Sequence, residues 1–328
     1  MSKRFDNKKL VMVLAGLLAI LLLTIMVKIP KNRSTLKEKL VEFDTAAVTR
    51  IVIIPKATDG KDFEFIKENN EWKLKQEDII TIPRGNAVKN ILSEVLEIKP
   101  KSLAAVNRSE WRDYELTDSL ATRIKFLDKK GKNLADIMIG KFSYNQVAAS
   151  PYSLRQNNIA GISYVRQASE EKIYAVDGFL SLSLGGGFDN WRDRTLLRCS
   201  KEEITKITFT LPADSSFVLE KRDSVWYANN LPADSLNTEQ YLNSISYLNG
   251  EDFRDGYTPG SSPDYQVLIE GNNLLSISIK CFRGVDGKEL IFNSSQNPSV
   301  FFSTENRELF DKLLKPKEYF TGSDTKKK

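Results

Sequence analysis

The chain has 328 residues, 41% hydrophobic and 28% charged, enough for two domains and unlike the composition of a disordered protein. It has no histidine and only two cysteines, which excludes a Ser-His-Asp triad, the commonest general base and a cysteine-based zinc site. The net charge of +5 does not mark a nucleic-acid binder, because residues 1–39 carry +7 and leave −2 on all the rest.

Residues 10–27 read LVMVLAGLLAILLLTIMV, 18 residues without a charge between Lys8-Lys9 and Lys28. At about 1.5 Å per residue this run spans roughly 27 Å, close to the hydrocarbon core of a thin bilayer. It is longer than the apolar region of a cleaved signal peptide and lacks a small-residue cleavage site, so it reads as an uncleaved anchor. A short basic N-terminus before one apolar run predicts residues 1–9 in the cytoplasm and the remainder outside it. Residues 28–46 then read as a stalk, with Leu36, Leu40, Val41 and Phe43 at roughly helical spacing.

Alternating Val48, Arg50, Ile51 and Ile53 predict a first strand, with further strands at 63–67 and 72–74 after the turn Asn69-Asn70. Residues 84–96 place Val88, Ile91, Leu92, Val95 and Leu96 on one helical face before Pro100. Strands are predicted again at 122–127, 134–139, 162–166 and 172–176. A second series follows, with strands at 204–210, 216–220 and 225–228. Its helix is predicted over 238–248, capped by Asn237 with Gln240 three residues on. Four more strands lie at 265–270, 274–281, 288–292 and 299–303, and a last helix at 305–314.

The two series share sequence as well as order. Val48-Thr49-Arg50-Ile51-Val52-Ile53 returns as Ile204-Thr205-Lys206-Ile207-Thr208-Phe209. Phe63-Glu64-Phe65-Ile66-Lys67 and Trp72 return as Phe217-Val218-Leu219-Glu220-Lys221 and Trp226. A duplicated module is the expectation. It consists of an anchor at 10–27, a stalk at 28–46, repeat one at 47–200, repeat two at 201–321 and a disordered basic tail at 322–328. Hairpin-like connections predict α+β architecture, antiparallel sheet with one main amphipathic helix per repeat.

Chemistry-bearing motifs are few. An aromatic-Arg-Asp triplet occurs at Trp111-Arg112-Asp113, Trp191-Arg192-Asp193 and Phe253-Arg254-Asp255. The first and third stand at equivalent places in the repeats and read as packed corners, the Arg stem on the ring and the Asp capping a turn. The second, extended to Arg194, follows the glycine run 185–187 and stands outside that equivalence. Trp191, Arg192, Asp193 and Arg194 are therefore the candidate partner-contact residues. Gly185-Gly186-Gly187 lacks the Gly-Lys-Ser/Thr of a phosphate loop. Acidic residues such as Glu202-Glu203, Asp214 and Asp234 read as solvated surface. Cys199 and Cys281 form a disulfide if they meet in an oxidising compartment, and are otherwise two semi-buried thiols. No catalytic, cofactor-binding or metal-binding residue is expected.

The order of these motifs carries a resemblance. It runs from the anchor through Val48-Thr49-Arg50-Ile51, Trp72-Lys73-Leu74 and Asp113-Tyr114-Glu115-Leu116 to Ile137-Met138-Ile139-Gly140. Ser163-Tyr164-Val165-Arg166, Ile173-Tyr174-Ala175-Val176 and Arg192-Asp193-Arg194-Thr195-Leu196-Leu197 complete it. Over about 48–200 the chain resembles the bacterial DUF4340 family of membrane-anchored, repeat-containing proteins. It departs from that pattern at Tyr114-Glu115-Leu116, where relatives carry Tyr-Gly-Leu. The resemblance implies no catalytic activity and an association with ABC transport systems of the gliding-motility type. The expectation is a non-enzymatic accessory or scaffold subunit of an envelope complex, held in the cytoplasmic membrane with its large domain extracytoplasmic. The partners expected are the membrane and other envelope or transporter proteins, without nucleic acid or cofactor. A protein binding a peptide, lipid or glycan between the repeats is the first alternative, and a histidine-free hydrolase the second.

Overall fold

The computed structural model describes residues 36–322 apart from 58–59, 148–157, 261 and 285–286, and with them Met12, Leu14, Gly16, Leu17 and Leu18. Most of the run 10–27, its basic flanks and the tail from residue 323 lie outside the described residues. Among those described, no helix is long and apolar enough to cross a membrane.

The first series comprises β1 (Arg50–Ile54), β2 (Phe63–Glu68), β3 (Glu71–Gln76), β4 (Ile79–Thr81) and helix α1 (Ala87–Leu96). It continues through β5 (Pro100–Ala105), β6 (Thr122–Leu127), β7 (Asn133–Val147), β8 (Asn158–Gln167), β9 (Ile173–Asp177), the short α2 (Leu180–Ser183) and β10 (Thr195–Arg198). The second comprises β11 (Ile204–Thr210), β12 (Phe217–Arg222), β13 (Val225–Ala228), β14 (Leu231–Pro232) and α3 (Ser235–Ile245). It continues through β15 (Tyr247–Asn249), β16 (Asp252–Phe253), β17 (Tyr265–Gly271), β18 (Leu274–Arg283), β19 (Leu290–Ser294) and β20 (Asn297–Thr304), and ends in α4 (Glu308–Leu313) and α5 (Lys317–Thr321).

Among the described residues these strands form two nine-stranded sheets, of order β4-β3-β2-β1-β6-β7-β8-β9-β5 and β14-β13-β12-β11-β17-β18-β19-β20-β16, and a two-stranded sheet β10-β15. The two large sheets have the same pattern. In each, a four-strand meander runs to one edge, and a short strand following the main helix closes the other. The registers match residue for residue. Arg50 faces Ile66 and Ile53 faces Phe63 in the first hairpin, as Lys206 faces Glu220 and Phe209 faces Phe217 in the second. Lys67 faces Trp72 and Lys221 faces Trp226 in the next. The linking turns also agree: Asn69 and Asn70 have φ of 49° and 68°, Asp223 and Ser224 of 46° and 71°. Two successive left-handed residues are the type I′ signature, whose twist suits a tight hairpin.

Alternation explains the inward face. Ile51, Ile53, Ile207 and Phe209 are fully buried, while Arg50 and Lys206 point outward to Glu64 and Glu270 at 3.8 and 2.9 Å. Helix α1 buries Ala87, Val88, Ile91 and Val95, a stripe at 3.6-residue period. Helix α3 differs from expectation at both ends. Asp234, not Asn237, is its N-cap, the carboxylate accepting from the Asn237 backbone N–H at 2.8 Å. It stops at Ile245 because Tyr247–Asn249 is recruited by β10.

The chain divides into two compact units, interleaved in sequence. The first takes Met1–Asp44, Ser93–Arg123 and Ala135–Leu184. Its core cluster joins Ala105, Leu116, Ala121, Met138 and Ile173, with Trp111, Tyr114 and Tyr164 packed against it. Residues 36–44 of the expected stalk are part of this unit, as irregular chain instead of a helix. Leu40 and Val41 are buried, the Leu40 N–H donates to Ile98 O at 2.9 Å, and Lys37 pairs with Glu170. Gly140 is required here, because a Cβ would stand 2.1 Å from the Tyr114 carbonyl oxygen.

The second unit takes Thr45–Leu92, Ile124–Leu134 and Gly185–Lys328. Inward residues of β11, β12, β17, β18, β19 and β20 meet Tyr241, Leu242 and Ile245 of α3 and Phe320 of α5 in one core. Phe209 and Phe217 stack at 4.4 Å, and the Tyr241 ring meets Phe320 edge-on at 5.1 Å. Burying a side chain of this size is worth about 1.5–3 kcal/mol. Leu196 and Leu197 of β10, ahead of β11, also belong to this core.

Candidate functional site

The segment from α2 to β10 holds the four residues marked as a partner contact. Gly186, at φ 103°, turns the chain into a 3-10 turn at Phe188–Asn190, which delivers Trp191 to the interior at 2% exposure. The indole meets Phe65 edge-on at 5.8 Å, with the Arg84 guanidinium 4.8 Å from its centroid. The backbone joins in, Arg84 N donating to Trp191 O at 2.8 Å and Asp193 N to Ile82 O at 2.9 Å.

Arg192 is the most enclosed cation of this segment, its side chain 2% exposed. Asp255 receives it as a fork, Nη1 to Oδ2 at 2.7 Å and Nη2 to Oδ1 at 2.5 Å, and Asp189 Oδ1 accepts a third bond at 3.1 Å. Its plane lies 3.6 Å from the Phe253 centroid, with Phe188 at 5.2 Å. Asp193 Oδ1 accepts from Thr195 N and Oγ1 at 2.9 and 2.7 Å, closing a local turn. Arg194 stacks on Phe253 at 4.7 Å, donates to the Glu251 carbonyl and accepts at its own carbonyl from Gly250 N. All four residues thus have partners inside the second unit. They form a brace in which elements before α1 and elements after α3 hold the linking segment.

The equivalent triplets show the same device in a different form. Their rings do carry guanidinium groups, but not those of the triplet itself. Arg166, 2% exposed, lies 3.5 Å from the Trp111 centroid, as Arg192 lies over Phe253. Arg166 donates to the carbonyls of Leu116, Gln167, Ala168 and Glu170 at 3.1–3.3 Å. Desolvation lowers its pKa. Arg254 turns outward to Glu289 at 3.2 Å.

Cys199 and Cys281 are both free thiols in this structure. Cys281 sits in the core of the second unit and Cys199 packs against it. Burial raises both pKa values, that of Cys281 up to about 12. Of the acidic residues, Asp234 is spent on capping α3, Asp214 lies exposed in a turn and Glu202 accepts from the Ser200 hydroxyl. Among the described residues no cluster of three metal-ligating side chains occurs.

A second location had no sequence signal. Where β17 begins and β18 ends, beside α4, a cleft of ≈ 610 Å³ is lined by Tyr265, Arg283, Lys288, Glu305, Arg307 and Phe310 among others. A neighbouring lobe of ≈ 470 Å³ shares Tyr265, Arg283, Arg307 and Phe310 and adds Leu211, Leu314 and Pro316. Arg283 stacks on Tyr265 at 5.5 Å and donates to its hydroxyl, and Arg307 stacks on Phe310 at 4.6 Å. The two rings meet edge-on at 4.9 Å.

The fold therefore defines a class: an α+β protein of two like-ordered antiparallel sheets, with buried arginines seated on aromatic rings. The family model described as "Domain of unknown function (DUF4340)" matches residues 82–267, more than half of the chain, and the chain belongs to that family. The match begins just after β4 and takes in the brace apart from Phe65 and the whole of the second four-strand meander, further into repeat two than the resemblance over 48–200. No curated protein matches the chain, and no solved structure does.

Proposed function

We propose that this chain is a single-pass membrane protein acting as a non-enzymatic accessory or scaffold subunit of a cell-envelope complex, linked to an ABC-type transport system. The observation that carries this reading is the brace. The buried charged residues among those described, Arg166 and Arg192, are held by carbonyls, aromatic rings and carboxylates of the fold. Such groups fix geometry, and a rigid platform is what a scaffold subunit supplies. The anchor is supported by the uncharged run 10–27, within which Met12, Leu14, Leu17 and Leu18 are helical and expose their side chains. Water would penalise that arrangement and lipid would not.

Extraction of native cells in a gentle detergent, followed by capture through a C-terminal tag, is expected to return the chain with envelope or transporter proteins. Recovery of the chain alone would overturn the proposal. A C-terminal reporter active only outside the cytoplasm is expected from the proposed orientation, and cytoplasmic activity would reverse it.

A further inference from the structure

We infer that the cleft between β17, β18 and α4 binds an acidic peptide segment of a partner protein. Peptide carboxylates would meet Arg283, Lys288 and Arg307, and a peptide apolar side chain would rest against Leu211, Leu314 and Pro316. This takes the chain to be an accessory or scaffold subunit, as above, but does not depend on which complex it serves.

Charge sign is the first argument. Residues 40–328 carry −2 overall, yet the two lobes bring together Arg283, Lys288, Arg307 and Lys315 against Glu305 and Asp311. A local excess of cations on an acidic body attracts anions selectively. Preorganisation is the second. Each arginine lies over a ring, and the two rings brace one another, so little guanidinium freedom is lost on binding. Both side chains remain exposed.

The geometry also selects a carboxylate. Arg307 faces the carboxylate of Asp311 at 3.6 Å, with both side chains more than half exposed. Such a pair contributes under about 1 kcal/mol, so an incoming carboxylate can exchange with it at little cost. Glu305 and Asp311 within the same lining oppose a dense polyanion and favour spaced carboxylates. Both lobes fall within the roughly 300–1,000 Å³ of ordinary ligand pockets. The apolar wall beside the cations suits a peptide that alternates acidic and aliphatic residues.

The test uses the full chain in a non-ionic detergent and a fluorescein-labelled Glu-Leu-Glu-Glu-Leu-Glu peptide, read by fluorescence anisotropy. Saturable binding that weakens with added salt is expected. R283Q/R307Q is expected to weaken it by at least about tenfold, and D311N, which frees Arg307, to strengthen it by about two- to fivefold. Absence of saturable binding overturns the inference, as does equal binding of a Lys-for-Glu peptide. So does affinity unchanged by R283Q/R307Q. Should that double variant not fold, D311N decides alone: unchanged or weaker binding overturns the site. Binding to phosphatidylglycerol vesicles without peptide binding also overturns it and points to lipid. Peptide binding by a chain that is captured alone from cells would refute the complex and leave the site standing.

Discussion

Replacing Asp255 by Ala removes the fork that holds Arg192 and so tests the brace directly. Asp255 accepts two bonds from a guanidinium that is 2% exposed, at 2.7 and 2.5 Å. A hydrogen bond to a charged group contributes about 1.5–3 kcal/mol, and stripping one partner from a buried pair costs about 3–5 kcal/mol. Two features lower the figure here. Asp255 is itself 39% exposed, and Asp189 keeps its 3.1 Å contact with Arg192. A loss of about 3 kcal/mol is therefore expected for Asp255→Ala, the low end of the range.

The companion substitution, Arg192→Met, removes the buried charge and retains an unbranched apolar chain against Phe253. It is expected to cost less, about 1–2 kcal/mol. Once the cation is gone Asp255 has nothing to neutralise, so the double variant should cost no more than Arg192→Met alone. The cycle then gives a coupling of about 3 kcal/mol. Urea unfolding of the full chain in detergent, followed together by tryptophan fluorescence and circular dichroism, measures each leg through the midpoint at constant m. A loss below about 0.5 kcal/mol for Asp255→Ala, or strictly additive single variants, would refute the brace.

Alkaline pH probes the second core. Burial pushes the Tyr241 hydroxyl above its ordinary 10.0 and the Cys281 thiol from 9.0 up to about 12. The unfolded chain therefore loses these protons first, and stability should hold below pH 9 and fall as pH rises from about 9 to 12. Tyr241→Phe strands the Leu313 carbonyl, which accepts at 2.8 Å, at a cost of about 1–3 kcal/mol at pH 7, but should flatten part of the alkaline decline in unfolding titrations. Gly250→Ala places a Cβ 2.0 Å from the Phe302 ring and should cost about 1–3 kcal/mol by overpacking, partly recovered by Phe302→Leu; unchanged melting would count against the packing described. With Ellman's reagent at pH 8, Cys281 should react only after unfolding and Cys199 slowly in the native state. Fast modification of both would place the thiols elsewhere.

What could be read from the chain was what repeats over short range. The alternation in Arg50–Ile54 and Ile204–Thr210, the turn Asn69-Asn70 and the apolar stripe of α1 each specify their element locally. The edge strands could not be read. β16 is two residues long and β5 begins with proline; both become strands because β20 and β9 offer them a free edge. The cap of α3 was legible in principle, since Asp234 precedes Asn237 by the spacing of a capping contact. Leu248 continues the apolar spacing of Tyr241, Leu242 and Ile245, which carried the expected helix into β15, where Leu248 is buried opposite Leu197. The triplets single out Arg192 and Asp255, but not their pairing across 63 residues. The cleft was not legible: Tyr265, Arg283, Arg307 and Phe310 sit on three elements and a loop, so no local pattern announces it.

The buried arginines show where the two series of elements differ. In the first repeat the cation on the triplet ring, Arg166, arises from β8, a strand of the same sheet, and is met by carbonyl oxygens; the triplet's own Asp113 is exposed. In the second the cation is Arg192, from the segment that joins the repeats, and the triplet's Asp255 closes on it. A carbonyl cradle keeps a guanidinium in place through partial charges, whereas a carboxylate fork adds full charge and direction. The stronger restraint has therefore been placed on the connection between the repeats and the weaker one within a sheet whose ladder already fixes it. That distribution is the expected one if what the fold has to fix is the setting of the linking segment, with Trp191 held against Phe65 and Arg84 on one side and Arg192 against Phe253 and Asp255 on the other. The conspicuous triplet Trp191-Arg192-Asp193 is then tied into the fold at each of its residues, whereas Arg283 and Arg307 of the cleft beside α4 stay exposed.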